Sequence, residues 1–183
     1  MGTVLGLPLA WYFLSNGYEP SVVYNEDRLS TFFTTYFFVY LLLDLSLGML
    51  YYPKYIDPLS GWFHHVIFAI LIASLKVHHS CNAMMFCYIQ ELPTFLLAVG
   101  SIHKPYRQDL LFGITFFITR VCYHIAYASG LISHYQYNHP AALYSAFFGV
   151  LTTIMHVMWF SQWLRKLPQY LQAQQRTKEG KVE

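Results

Sequence analysis

Asp44, Glu91, Arg120, His124 and His156 are side chains that water normally keeps, yet each lies within a long apolar run of this chain. Carboxylates, guanidinium and imidazoles are the groups that hold polar head groups, move protons or attack a carbonyl carbon. His64 and His65 add an adjacent pair in the first turn of another apolar run. A formal charge at the middle of a bilayer costs roughly 2.5–3.5 kcal/mol on insertion scales. Three such charges are too costly to face lipid, so they face one another or a watery cavity.

The elements that must position them are membrane helices. The chain has 183 residues, 56% of them hydrophobic and 11% charged. A soluble domain carries about 25% charged residues, and one this small lacks the interior to hide so much apolar surface. Four runs, Thr31–Tyr52, Ser80–Gly100, Leu110–Ile132 and Ala141–Trp163, reach the length of about 20 residues that a spanning helix needs. Leu59–Leu75 is slightly short, with Trp62 as an interfacial ring. Thr3–Leu14 is too short to span alone and reads as part of a helix or as an interfacial segment. The expectation is an all-α membrane protein, a bundle of five to six transmembrane helices around a central cavity. Residues 1–30 form a short apolar segment and loop, residues 31–166 the transmembrane domain, and residues 167–183 a polar tail.

Lys and Arg set the orientation. Arg165, Lys166, Arg176, Lys178 and Lys181 follow the last run, and Lys54, Lys104 and Arg107 fall in the loops on that same side. The opposite loops carry only Arg28 and Lys76. This bias predicts a cytoplasmic tail. The N-terminus has no basic region before its apolar residues, so a cleaved signal peptide is not expected. A net charge of +2 is too small to suggest nucleic acid. Three cysteines, all in apolar runs, do not suggest a disulfide framework.

Counting 1.5 Å per residue from the cytoplasmic ends puts Asp44 and His156 roughly 12 Å deep, and Glu91 and Arg120 roughly 14–15 Å deep. Four groups from four helices share one layer, with His64 and His65 nearer its cytoplasmic mouth. Pro93 breaks the helix ladder beside Gln90, Glu91 and Thr94, as suits a helix facing a cavity. Two readings stay open for most of these residues. Arg120 with Asp44 or Glu91 is either a structural ion pair or a head-group site. The histidine pair is either an interfacial anchor or chemically active, and His124 and His156 are either packing residues or pocket wall. A di-iron centre is not expected, because its histidine boxes are absent. His64-His65 and His78-His79 also lie roughly 21 Å apart along a helix.

Trp62-Phe63-His64-His65 opening a span, Gln90-Glu91-Leu92-Pro93-Thr94-Phe95-Leu96-Leu97 about one helix later, and the intramembrane Arg120 together resemble the TLC-domain family. That family includes ceramide synthases, translocon-associated membrane proteins and proteins of lipid homeostasis. The resemblance covers roughly Thr31 to Lys166. It implies a bundle of about six helices around a cavity, usually in the endoplasmic reticulum. In the family's synthases a histidine pair and two aspartates acylate a long-chain base from acyl-CoA. By position the pair matches His64 and His65. The first aspartate falls at Glu91, the second at Thr94, and a histidine before the first becomes Gln90. If the chain is an enzyme, the resemblance makes His64, His65 and Glu91 catalytic, with acyl-CoA as co-substrate and no cofactor. The lost second carboxylate makes the wording more like the family's non-synthase branch.

The expected function is therefore a lipid- or acyl-chain-binding membrane protein of lipid homeostasis. Asp44, Glu91, Thr94, Arg120, His124 and His156 would line the lipid site, with no metal. The rivals are a sphingoid-base N-acyltransferase and an interaction protein with membrane-protein partners.

Overall fold

The computed structural model describes residues 2–51, 53–55 and 58–178, and every regular element among them is helical. Apolar composition forces this, because a backbone in lipid must satisfy its polar groups internally. In chain order, α1 is Gly2–Asn16, α2 Pro20–Val23, α3 Arg28–Tyr51, α4 His64–Val77, α5 Cys81–Cys87, α6 Leu92–Ile102, α7 Asp109–Phe116, α8 Tyr123–Ser133 and α9 Pro140–Lys178.

Several of these join into longer rods. A tight 3-10 turn, Tyr88–Glu91, links α5 to α6, and a wide π turn, Phe117–Cys122, links α7 to α8. A second π turn, Pro58–Phe63, precedes α4. Four rods are long and apolar enough to cross a membrane: Arg28–Tyr51, Cys81–Ile102, Asp109–Ser133 and Pro140–Gln172, with Gly61–Val77 a shorter apolar fifth. They carry broad exposed apolar faces, including Leu43, Leu50, Ile118 and Phe147, which suit hydrocarbon and not water.

Local chemistry sets the helix ends. At the start of α3 the Ser30 amide donates to Asp27 Oδ1 at 2.7 Å, and the Asp27 amide donates to Ser30 Oγ at 2.9 Å. This reciprocal box satisfies amides that the first turn leaves unpaired. After α4 the chain turns at His79, whose φ is +52°. The Ser80 amide reaches back to Leu75 O at 2.8 Å and the His79 amide to Lys76 O at 3.2 Å, a Schellman closure with histidine in the usual glycine place. His79 Nδ1 also meets Glu26 Oε1 at 2.6 Å, pinning this turn to the loop before α3. Burial pushes the Glu26 carboxyl up, but hydrogen bonds from His79 and Cys81 and the charges of His79 and Lys76 outweigh it. The result lies below the usual glutamate range.

Two elements add detail to the sequence expectation. The apolar start is a helix seated in the bundle, with Phe13 edge-on to Tyr123 and Tyr127. In addition, α9 runs on through Pro168 to Lys178, so residues 167–178 of the polar tail continue the helix. Proline removes one backbone bond there, and outside the bilayer water can take the freed carbonyl. Residues 179–183, the rest of the expected tail, lie outside the described residues.

Tyrosines sew the rods together. Tyr127 Oη donates to Ala83 O at 3.1 Å and Tyr123 Oη to Phe86 O at 2.9 Å. One turn apart on α8, they grip two carbonyls of α5 that are themselves about one turn apart. On the other flank α1 comes so close that a Cβ on Gly6 would stand 2.7 Å from Ile89 N and 2.9 Å from Tyr88 Cβ. The first of these atoms is backbone and cannot swing away. Gly6→Ala is therefore expected to cost about 1–3 kcal/mol by overpacking, seen as a lower melting temperature in detergent. An unchanged melting temperature would show that α1 is not seated there.

Candidate functional site

The bundle forms a half-open cavity of about 320 Å³, walled by α3, α4, the Tyr88–Glu91 turn, α6, the α7–π segment and α9. Its polar wall is Asp44, His64, His65, Glu91, Thr94 and Arg120. The apolar wall includes Leu41, Leu97, Phe116, Trp159 and Trp163. At about 30 Å³ per water-sized group, it holds roughly ten heavy atoms. That is enough for a small head group and the first carbons of a chain.

Arg120 organises one side. It lies in the π turn Phe117–Cys122, and a π turn rotates the following residues relative to a regular helix, often at functional sites. Its Nε donates to Gln90 O at 2.7 Å and its Nη2 to Thr94 Oγ1 at 2.7 Å. The same Nη2 lies 3.4 Å from Glu91 Oε1, a looser ion pair. Phe116 lies under the guanidinium, 5.5 Å from ring centroid to Cζ. All three polar partners sit at the 3-10 turn and the first turn of α6. Tightening the helix there, with Pro93 lacking an amide, changes the carbonyl ladder and turns Gln90 O toward Arg120.

The second pair is Asp44 with His65. His65 Nε2 lies 2.9 Å from Asp44 Oδ2, and His65 Nδ1 lies 2.7 Å from Gly61 O. Gly61 belongs to the π turn before α4, so the ring is braced against its own helix start. That π turn carries the helix on below His64. The His65 side chain thereby reaches the Asp44 carboxylate on the neighbouring helix. Asp44 pairs with His65 and leaves Arg120 to Glu91.

His124 and His156 lie behind this wall. His124 Nδ1 accepts from Gln90 Nε2 at 2.9 Å and its Nε2 donates to Gly149 O at 3.1 Å. This is a fully satisfied neutral ring beside a separate apolar void of about 30 Å³. His156 stands edge-on to it at 4.9 Å and is 2% exposed. The structure thus gathers His64, His65, Asp44, Glu91, Thr94 and Arg120 around one volume and leaves the two deeper histidines in the packed core.

Sequence reasoning passed over Trp159 and Trp163, which close the cavity from α9. Their signal was present, since they fall three and seven residues after His156 on one helical face. Trp163 lies flush against Gly113, where any Cβ would overlap the indole. Gln90 was grouped with Glu91 and Thr94, but its double duty toward Arg120 and His124 needed the structure. Among the described residues no group of three or more His, Cys, Asp or Glu side chains is placed to hold a metal ion.

The family model for the TLC domain matches residues 3–165. The chain belongs to the TLC-domain family. With its four long apolar helices, this TLC protein is a multi-pass membrane protein of a lipid-related family. The match begins inside α1, in keeping with the seat of that helix against Tyr88 and Ile89. No curated protein and no solved structure matches it significantly.

Replacing Arg120 by Met strands Glu91 in a low-dielectric site, and removing one partner of a buried pair costs about 3–5 kcal/mol. The TLC protein should lose that stability in a detergent melt, and adding Glu91→Gln should return part of it. If Arg120→Met melts like the parent, Arg120 does not hold the site together.

Proposed function

We propose that this TLC protein binds a lipid or acyl chain in the cavity and acts in membrane-lipid homeostasis, in the non-synthase branch of its family. The observation that carries this reading is one half-open cavity with polar groups on one wall and aromatic and aliphatic side chains on the other. Sites for small amphiphiles have that form, apolar lining with a few placed polar groups. Asp44, His65, Thr94 and Arg120 would receive the head, and Leu41, Leu97, Phe116 and Trp163 the start of the chain. The volume is too small for a whole long chain, so the remainder would leave between helices into the bilayer.

The amide-forming reading is weaker. Both ring nitrogens of His65 already have partners, which leaves neither as a free acyl acceptor. Gln90 and Thr94 stand where the synthases have a histidine and an aspartate. We place the protein in the endoplasmic reticulum on the family's usual residence, with the C-terminal end cytoplasmic on the Lys and Arg bias. Membrane lipids are its proposed partners, with other membrane proteins reached through the loops.

The test is photo-crosslinking in membranes with a diazirine- and alkyne-bearing acyl probe, followed by peptide mapping. Label is expected on peptides containing Leu97, Phe116 or Trp163. Leu97→Trp, which fills the volume from a half-exposed position, should cut it severalfold while the protein still accumulates. Equal label in parent and variant would remove the cavity from the account.

A further inference from the structure

The partners of the cavity's polar groups restrict what can enter it, on the reading that a lipid occupies it. A carbonyl oxygen cannot donate, so His65 Nδ1, 2.7 Å from Gly61 O, carries a proton. The 2.9 Å contact between His65 Nε2 and Asp44 Oδ2 holds a second proton, on one atom or the other. Without it two lone pairs would face each other. Wherever that proton sits, the Asp44–His65 pair has no net charge. Arg120 and Glu91 form a second pair without net charge. His64 Nδ1 is buried with no partner among the described residues. That setting suits a neutral ring, because an imidazolium would strand a cationic donor there.

The cavity wall is therefore electrically balanced. An ionised head would add a charge with no counterpart inside a membrane, and uncompensated buried charge is strongly penalised. The wall nevertheless offers hydrogen bonds. Asp44 has one carboxylate oxygen engaged by His65 and a side chain 43% exposed, so its other oxygen is open to accept. Arg120 Nη1 has no partner among the described residues, while Nε and Nη2 are engaged. An acceptor and a donor thus stand ready, each already neutralised by its own partner.

We propose that the cavity selects lipids with an uncharged head that gives a hydroxyl to Asp44 and a carbonyl oxygen to Arg120. Monoacylglycerols and N-acyl amino alcohols share this chemistry. Phospholipids, ionised fatty acids and free long-chain amines do not.

The full chain in lipid nanodiscs is exposed to photoactivatable probes of one chain length. The probes are a monoacylglycerol, an N-acylethanolamine, a fatty acid methyl ester, an alkyl sulfonate and an alkyl trimethylammonium. At least one of the first two should label cavity peptides at least about tenfold more than the permanently charged pair, the minimum expected of an unpaired buried charge. Whichever of the two labels more strongly names the source. The methyl ester, neutral but without a hydroxyl, should label less, and Asp44→Asn should erase that difference. Glu91→Gln unbalances Arg120 and should raise sulfonate label relative to the neutral probes. Should that variant fail to accumulate, the ranking in the parent protein decides alone. Equal label by all five probes overturns the head-group proposal while leaving the cavity reading intact. No cavity label by any probe overturns both. A sulfonate or ammonium probe that leads in the parent overturns the proposal outright.

Discussion

A guanidinium in a bilayer must find oxygen, and Arg120 finds it on a neighbouring rod. It takes the Gln90 carbonyl, the Thr94 hydroxyl and, more loosely, the Glu91 carboxylate. Left to lipid, the charge would cost roughly 2.5–3.5 kcal/mol or more. That requirement fixes the rotation of the α7–π–α8 rod against the α5–α6 rod. It thereby fixes which residues of both face the cavity. Tyr123 and Tyr127, gripping α5 carbonyls one turn further along, hold the same rotation from the other side.

The irregular backbone clusters at this place. The Pro58–Phe63 π turn braces His65, the Tyr88–Glu91 3-10 turn offers Gln90 O, and the Phe117–Cys122 π turn carries Arg120. In a membrane a departure from the regular ladder survives only where protein groups or a wet cavity can take the released partners. Each departure here lies next to a polar residue of the cavity wall. Backbone register and side-chain chemistry are one feature, because rotating a helix by part of a turn is what brings its polar side chain inward.

Much of the fold was legible because lipid imposes length and composition. Thr31–Tyr52, Ser80–Gly100 and Leu110–Ile132 foreshadow the rods Arg28–Tyr51, Cys81–Ile102 and Asp109–Ser133. Depth was partly legible as well, since a fixed rise per residue places Glu91 and Arg120 level, and they meet. Azimuth was not legible. In a helix apolar on every side the pattern that marks an inner face is weak, so Asp44 gave no sign that its partner is His65. His156 shares the counted depth of the cavity groups and yet packs between helices beside His124, a distinction of rotation. The helix continues through Pro168, since a solvated helix tolerates one lost bond.

The most direct test of the account is an experimental structure of the chain in a lipid nanodisc, resolved well enough to place the Arg120 and His65 side chains. Arg120 should lie within hydrogen-bond reach of Gln90 O and Thr94, and His65 should meet Asp44 across a shared hollow. An Arg120 that instead runs to the membrane surface, with Asp44 and His65 apart and no hollow between them, would contradict it.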